Sequence, residues 1–214
     1  MSKSITVNMS QATAQQLNSG RFTLYAFKAV QAFPNNGVPV VWQSDGQFKQ
    51  SNTISWGDAL EAYSTNSSVA DGSQVASLFN APINIGQKLQ IDNSGRGNVV
   101  NGEPGVVSIA SSSMSLAGGV SQNNGKRPAA ICVFPIPGTT VQITPIDQVL
   151  LMISNKALKD ATIVLQTSGP GVLVDLSAGS SATVNFDANT GFSGGGTNIA
   201  NGSNTVQSLI QRQP

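Results

Sequence analysis

The chain has 214 residues, of which 39% are hydrophobic and only 10% charged, with eleven Lys and Arg against ten Asp and Glu and a formal net charge of +1. The length suits one β domain, and the charged share is less than half of the ~25% usual for soluble domains. Scattered, balanced charge excludes a basic stripe that would neutralise phosphates, so no nucleic-acid partner is expected; the absence of histidine removes Ser-His-Asp and Cys-His catalysis and histidine metal centres.

Ile5 to Met9 alternates and predicts a first strand, and Ser10 caps a short helix to Leu17 that Asn18-Ser19-Gly20 ends. Phe22 to Val30 alternates Phe22, Leu24, Ala26 against Thr23, Tyr25, Phe27, with both faces apolar, as in a central strand. Pro34-Asn35-Asn36-Gly37 is a turn by composition, after which Val38 to Gln43 is expected to pair back as a hairpin. Thr53 to Trp56 reads as strand, followed by an irregular turn or one short helix before Tyr63. Short apolar runs then recur between Gly and Pro: Val75 to Phe79, Ile83 to Ile91, Val99-Val100, Val106 to Ile109, Ile131 to Ile136, Val141 to Ile143, Val149 to Ile153, Ala161 to Leu165, Val172 to Leu176 and Ala182 to Phe186. Gly191 to Gly196 is a flexible loop, and Val206 to Ile210 is a final edge strand or a docked turn.

Turn residues about every ten positions predict an all-β fold, a β-sandwich with Greek-key-like connections, in which residues 1–214 form one domain and 191–214 a Gly-rich C-terminal segment within it. Ile83 to Asp92 and Asp175 to Asp187 each read strand, Gly turn, strand, Asp. Two unrelated hairpins would look this way; so would two pseudo-repeated halves sharing one core.

Cys132, the only cysteine, lies in the apolar run Ile131 to Phe134 and is expected to be a buried thiol. No spacing points to a Ser-Lys dyad or a catalytic carboxylate pair, because nearly all the acids sit beside Gly, Asn or Ser, where acids fold turns. Asp71-Gly72-Ser73 and Asp187 to Gly191 offer hard oxygen ligands without a full calcium-loop pattern. The chain is therefore expected to be no enzyme, with no metal and no cofactor. The candidate ligand-binding residues are Trp42, Trp56 and Tyr63, as stacking or interfacial aromatics near turns, and Arg96, a charge at the tip of the Gly95-Arg96-Gly97 turn.

Gly86-Gln87-Lys88-Leu89-Gln90-Ile91-Asp92-Asn93-Ser94-Gly95-Arg96-Gly97, continuing through Gly102-Glu103-Pro104-Gly105 to Ile109, resembles the aegerolysins. The resemblance covers about a tenth of the chain, which is longer than that family and lacks its aromatic-rich later half. It implies a β-sandwich that binds membrane lipid and can recruit a pore-forming partner, with Arg96 a candidate lipid contact.

These readings lead to a non-enzymatic β-sandwich protein that binds a cell surface through membrane lipid or glycan, as a toxin or defence protein would. The alternatives are a structural self-assembling protein and, behind it, an enzyme without histidine chemistry. So weakly charged a surface repels its own copies poorly, so a homo-oligomer is expected. Residues 1–20 contain no apolar run, which predicts cytoplasmic synthesis without a signal peptide, with later release left open.

Overall fold

A computed structural model describes residues 2–213, with 52% of the chain in strands and 7% in helix. In chain order the elements are β1 (Lys3–Asn8), helix α1 (Gln11–Ser19), β2 (Thr23–Phe33), β3 (Val38–Pro39), β4 (Gln43–Asp45), β5 (Ser51–Trp56), β6 (Leu60–Thr65), β7 (Ser77–Ile83), β8 (Gln87–Ile91), β9 (Gly97–Asn101) and β10 (Val107–Ser111). They continue with β11 (Ala117–Asn123), β12 (Pro128–Ala130), β13 (Cys132–Pro135), β14 (Thr140–Ser154), β15 (Gly171–Asp175), β16 (Ser181–Asp187), β17 (Gly191–Ser193), β18 (Thr197–Ile199), a 3-10 turn (Asn204–Leu209) and β19 (Ile210–Arg212). No helix among the described residues is long and apolar enough to cross a membrane.

The helix forms where its cap directs it. Ser10 Oγ accepts the Thr13 N–H at 3.0 Å, and Gly20 closes the far end by donating to the Gln16 carbonyl at 2.9 Å. Such an N-cap stabilises by about 1 kcal/mol, and α1 turns Ala14 and Leu17 into the core.

The strands make three sheets, one of four strands (β17-β16-β1-β5), one of nine and one of six (β3-β13-β11-β6-β7, with β12 on β11). The nine-stranded sheet is built on the antiparallel pair β2 and β14. The other edge of β14 is shared by β10 and β15, and the other edge of β2 by β4 and, in parallel, β19. Alternation on β2 sends Leu24, Ala26, Val30 and Ala32 into the main core and Tyr25, Phe27 and Ala29 to the opposite face. The main core also takes Ile5, Ile54 and Val184 from the four-stranded sheet and Ala62, Val120 and Phe134 from the six-stranded one, so all three sheets share it in a sandwich-like arrangement. The outer face of β2 is covered by Val206 and Leu209 of the 3-10 turn and by Val164, while Ile163 covers Tyr63 and Val133 on the six-stranded sheet.

Several expectations change. Only Gln43–Asp45 returns to β2; Val38–Pro39 pairs with β13 instead, and Val40 bridges to Ile163, so the simple hairpin opens into an excursion to the neighbouring sheet. The runs Val141 to Ile143 and Val149 to Ile153 are one strand, interrupted by a bulge after Pro145, which has no N–H to give the ladder. Ile83 to Ile91 is split between sheets, because Asn84 to Gly86 turns a corner from β7 to β8. The matching segment behaves likewise: β15 belongs to the nine-stranded sheet and β16 to the four-stranded one. Neither segment is a hairpin. Each is a corner, and each is followed by an Asp-led turn into an antiparallel strand, β8 into β9 and β16 into β17.

Cys132 is buried without exposure, and its thiol is pushed up to about 12 by burial. Its carbonyl accepts the Tyr63 hydroxyl at 2.7 Å across Gly119 of β11. A β-carbon at Gly119 would run into that carbonyl oxygen and stand 2.8 Å from Tyr63 Oη. Gly119→Ala is therefore expected to lower stability by about 2 kcal/mol or more; an unchanged urea midpoint would refute this account of the glycine.

Candidate functional site

The inward row of β2 carries one residue that does not belong in an apolar core. Between Ala26 and Val30 stands Lys28, with 1% of its surface exposed. It pairs with Val149, just past the bulge: from the pair Pro145–Val30 to the pair Val149–Lys28, β14 advances four residues while β2 advances two. Within the surplus stands Asp147, whose charge acts on Lys28 and whose carboxylate meets Lys3 Nζ at 2.8 Å. Lys3 Nζ donates in addition to the Leu176 carbonyl at 3.1 Å, and the Leu176 N–H donates to the Asp147 carbonyl at 2.7 Å, so β1, the bulge and the end of β15 are locked together.

Over Lys28 lie two indoles. Its Nζ is 4.6 Å from the ring centre of Trp56 and 5.6 Å from that of Trp42, and the two rings meet edge to face at 5.6 Å and 86°. Cation–π attraction holds the ammonium there, with no carboxylate of the described residues in contact with it. Trp42 is fixed by its Nε1 donating to the Gln122 carbonyl at 3.0 Å and by its own carbonyl accepting from Asn124 Nδ2 at 3.2 Å. Burial lowers the Lys28 pKa from 10.5 to about 8; Asp147 and, more weakly, Asp58 oppose that fall, while Lys3 adds to it. The side-chain oxygens of Gln43 and Gln122 are buried without a hydrogen-bond partner among the described residues. The Ala26–Gln43 pairing puts Gln43 on the Lys28 face of β2.

This places the aromatic candidates. Trp42, Trp56 and Tyr63 are 0%, 3% and 2% exposed, so most of their ring area is spent in packing and none stands out from the surface. Trp42 and Trp56 come together on Lys28, and the Trp56 margin lines a shallow surface depression with Gly57 and Asp58; Tyr63 lies apart on β6 and lines a different cavity. Lys28 escaped the sequence reading, although it is the only charged residue in the run Phe22 to Phe33 and falls on the parity of Leu24 and Ala26. Asp71 and Asp187 serve backbone N–H groups, those of Leu165 and of Asn189 and Thr190, and among the described residues no three His, Cys, Asp or Glu side chains assemble into a metal site.

Arg96 is exposed, on a turn held from several sides. Asp92 Oδ1 accepts the Ser94 hydroxyl at 2.7 Å and the N–H groups of Ser94 and Arg96 at 2.8 and 3.1 Å; these bonds, the Ser94 hydroxyl foremost, lower the Asp92 pKa. The Gly95 carbonyl accepts from Ser64 Oγ of β6, and Gly95 adopts φ +84° against the Leu78 side chain. Ser112 Oγ donates to Asn93 Oδ1 at 3.2 Å, tying in the next loop. The registers of β2, β14, β10 and β8 bring the end of β2, the turn at 137–139, the loop at 112–116 and the Arg96 turn to one end of the nine-stranded sheet. On this rim Met114 is 76% exposed and Phe33 54%, and Leu78 of β7, whose side chain meets the Gly95 turn from the six-stranded sheet, is 49% exposed.

Comparison with protein-family models, curated proteins and solved structures finds no match to this chain.

The buried lysine has a pH signature. Below about pH 8 it is charged in folded and unfolded chains alike, and its burial cost is present in full. Between about 8 and 10.5 the unfolded chain holds a proton that the folded chain has lost, so this group makes the fold more stable as pH rises. A shift of this size corresponds to about 3 kcal/mol. Lys28→Met, which leaves Asp147 its partner Lys3, is expected to raise stability at pH 7 by about 1–3 kcal/mol and to remove that alkaline gain. Urea titrations across the range test this, and a Lys28→Met protein less stable at pH 7 with the same pH slope would contradict it.

Proposed function

We propose that the protein is a non-enzymatic β-sandwich protein that docks on a cell surface through the loop rim, with membrane lipid as its ligand. The observation that carries this reading is the rim itself: Met114 and Phe33 are large apolar side chains left exposed at the end of the sheet that also holds the Arg96 turn, and exposed Leu78 reaches that turn from β7 of the six-stranded sheet. Isolated exposed apolar residues are ordinary, but three along one rim beside a braced cation suit an interface where apolar tips enter lipid and a guanidinium meets the headgroup phosphate. The resemblance of residues 86–109 to the aegerolysins points the same way, and a surface-binding role of this kind fits a toxin or defence protein. Vesicles of phosphatidylcholine, with and without phosphatidylserine, should pellet the protein, and Met114→Asp should weaken pelleting about tenfold or more. Binding to immobilised glycans but to no vesicle would replace lipid by glycan; binding to neither would end the surface reading.

A second reading, self-assembly, has its own support. Among the described residues β9 pairs only with β8, and its outer edge, Gly97 to Asn101, carries no charged side chain or proline to discourage another strand. The same edge supports a homo-oligomer for a surface-binding protein. Light scattering over a concentration series should show association that Val99→Lys weakens, and a monomer throughout would remove this reading.

A further inference from the structure

We infer that a separate site on the outer face of the six-stranded sheet binds one neutral sugar residue. Cross-strand pairing sets its floor and one wall: Glu61 lies opposite Ser121, and Tyr63 opposite Asn80, so the four share a face of β6, β7 and β11. The other wall is the Asp160-Ala161 segment, with Arg127 at the mouth. Between them is a cavity of about 180 Å³, floored by Tyr63, Val75 and Ala130.

The second wall is braced from within the protein. Asp160 Oδ1 accepts Ser44 Oγ at 2.6 Å, its Oδ2 accepts Arg127 Nη2 at 3.1 Å, and its carbonyl accepts Gln74 Nε2 at 3.2 Å. The first wall is different. Among the described residues, the side chains of Glu61, Ser77, Asn80 and Ser121 make no hydrogen bond, although all four line the cavity and Ser121 is 9% exposed. Their neighbours on the same strands are committed: Ser64 donates to the Gly95 carbonyl, and Thr65 to the Ala76 carbonyl at 2.7 Å. Apart from the buried Gln122 Oε1 on the other face of β11, hydrogen-bonding capacity on these strands stays unspent where it faces the cavity.

The chemistry of that capacity selects the ligand. A carboxylate accepts only, whereas an amide and two hydroxyls both donate and accept; sugar hydroxyls do both and match the set, whereas an ammonium would use the acceptors alone. Arg127 neutralises Asp160, which leaves Glu61 as the uncompensated charge and disfavours anionic sugars. The apolar floor suits the C–H face of a pyranose, and the volume has room for one ring, not a chain. The site shares no residue with the rim.

The test uses the full-length protein, labelled with nitrogen-15, and methyl glucoside, methyl galactoside, methyl mannoside and N-acetylglucosamine, with N-acetylneuraminate as the anionic comparison. At least one neutral sugar should shift the amide signals of Glu61, Asn80 and Ser121, and Glu61→Gln and Asn80→Ala should each weaken it about tenfold. Asn80 is exposed on edge strand β7, so its variant carries the test if Glu61→Gln does not fold. No shift with any neutral sugar, shifts elsewhere, undiminished binding by the variants, or preference for N-acetylneuraminate would overturn the inference. Met114→Asp should keep the sugar site, so failure here and failure of the lipid reading are told apart.

Discussion

The pairing of β2 with β14 is the constraint on which the rest of this structure is arranged. β14 is 15 residues long, and along it β2 runs the full course from Ser154–Thr23 to Gln142–Phe33. Because β14 is so much longer than a typical strand, its second edge takes two partners, β10 beside its first half and β15 beside its second. From β15 the chain turns the corner into β16 of the four-stranded sheet, and from β10 it passes to β11 of the six-stranded sheet, while the β7–β8 corner brings it from the six-stranded sheet to β8 beside β10. The bulge after Pro145 lets one strand serve two neighbours that are not aligned, and it also brings Asp147 to Lys28 and Lys3.

A core built so deeply from apolar strands has no ordinary use for an ammonium group. Lys28 is tolerated because two indole faces, a nearby carboxylate and a lowered pKa share the burden of removing it from water. Its environment is sealed and braced, with Trp42 bonded through both its indole and its carbonyl. That arrangement holds a cation within the sheet junction and presents no reactive face to solvent.

With one residue in ten charged, the surface is organised by turns more than by ion pairs. Asp45, Asp92, Asp175 and Asp187 each accept the N–H of the residue two positions on, at 2.8 to 2.9 Å, and Asn124 accepts from Lys126 and Arg127 in the same manner. At Asp175 the Ser177 N–H is the chief cause of a lowered pKa. Acids used this way brace the turns at the sheet ends. The Arg96 turn, held by Asp92 below and Ser64 across, is the clearest case. Charge scarcity also makes Glu61 conspicuous, since Asp160 already has Arg127 and Glu61 faces open space with polar neighbours.

The sequence by itself determined what depends on neighbours a few residues apart. Helix α1 and its Ser10 cap, a strand through Thr53 to Trp56, the all-β class, the Asp-led turns and the buried Cys132 all follow from local periodicity and side-chain reach. Only the tertiary structure decided what depends on residues far apart in the chain. Period-two alternation says that Lys28 faces one side of β2, but not that Trp42 and Trp56 will close over it from two other segments, or that the charge of Asp147 on a third will act on it. Turn chemistry says that Gly86 bends the chain, but not that β7 and β8 then join different sheets. Glu61 and Ser121 are 60 residues apart in sequence and opposite each other in space. An isolated strand carries no mark of which partner it will pair with, because ladder hydrogen bonds are the same for every partner. The choice is made by the burial of all the strands together.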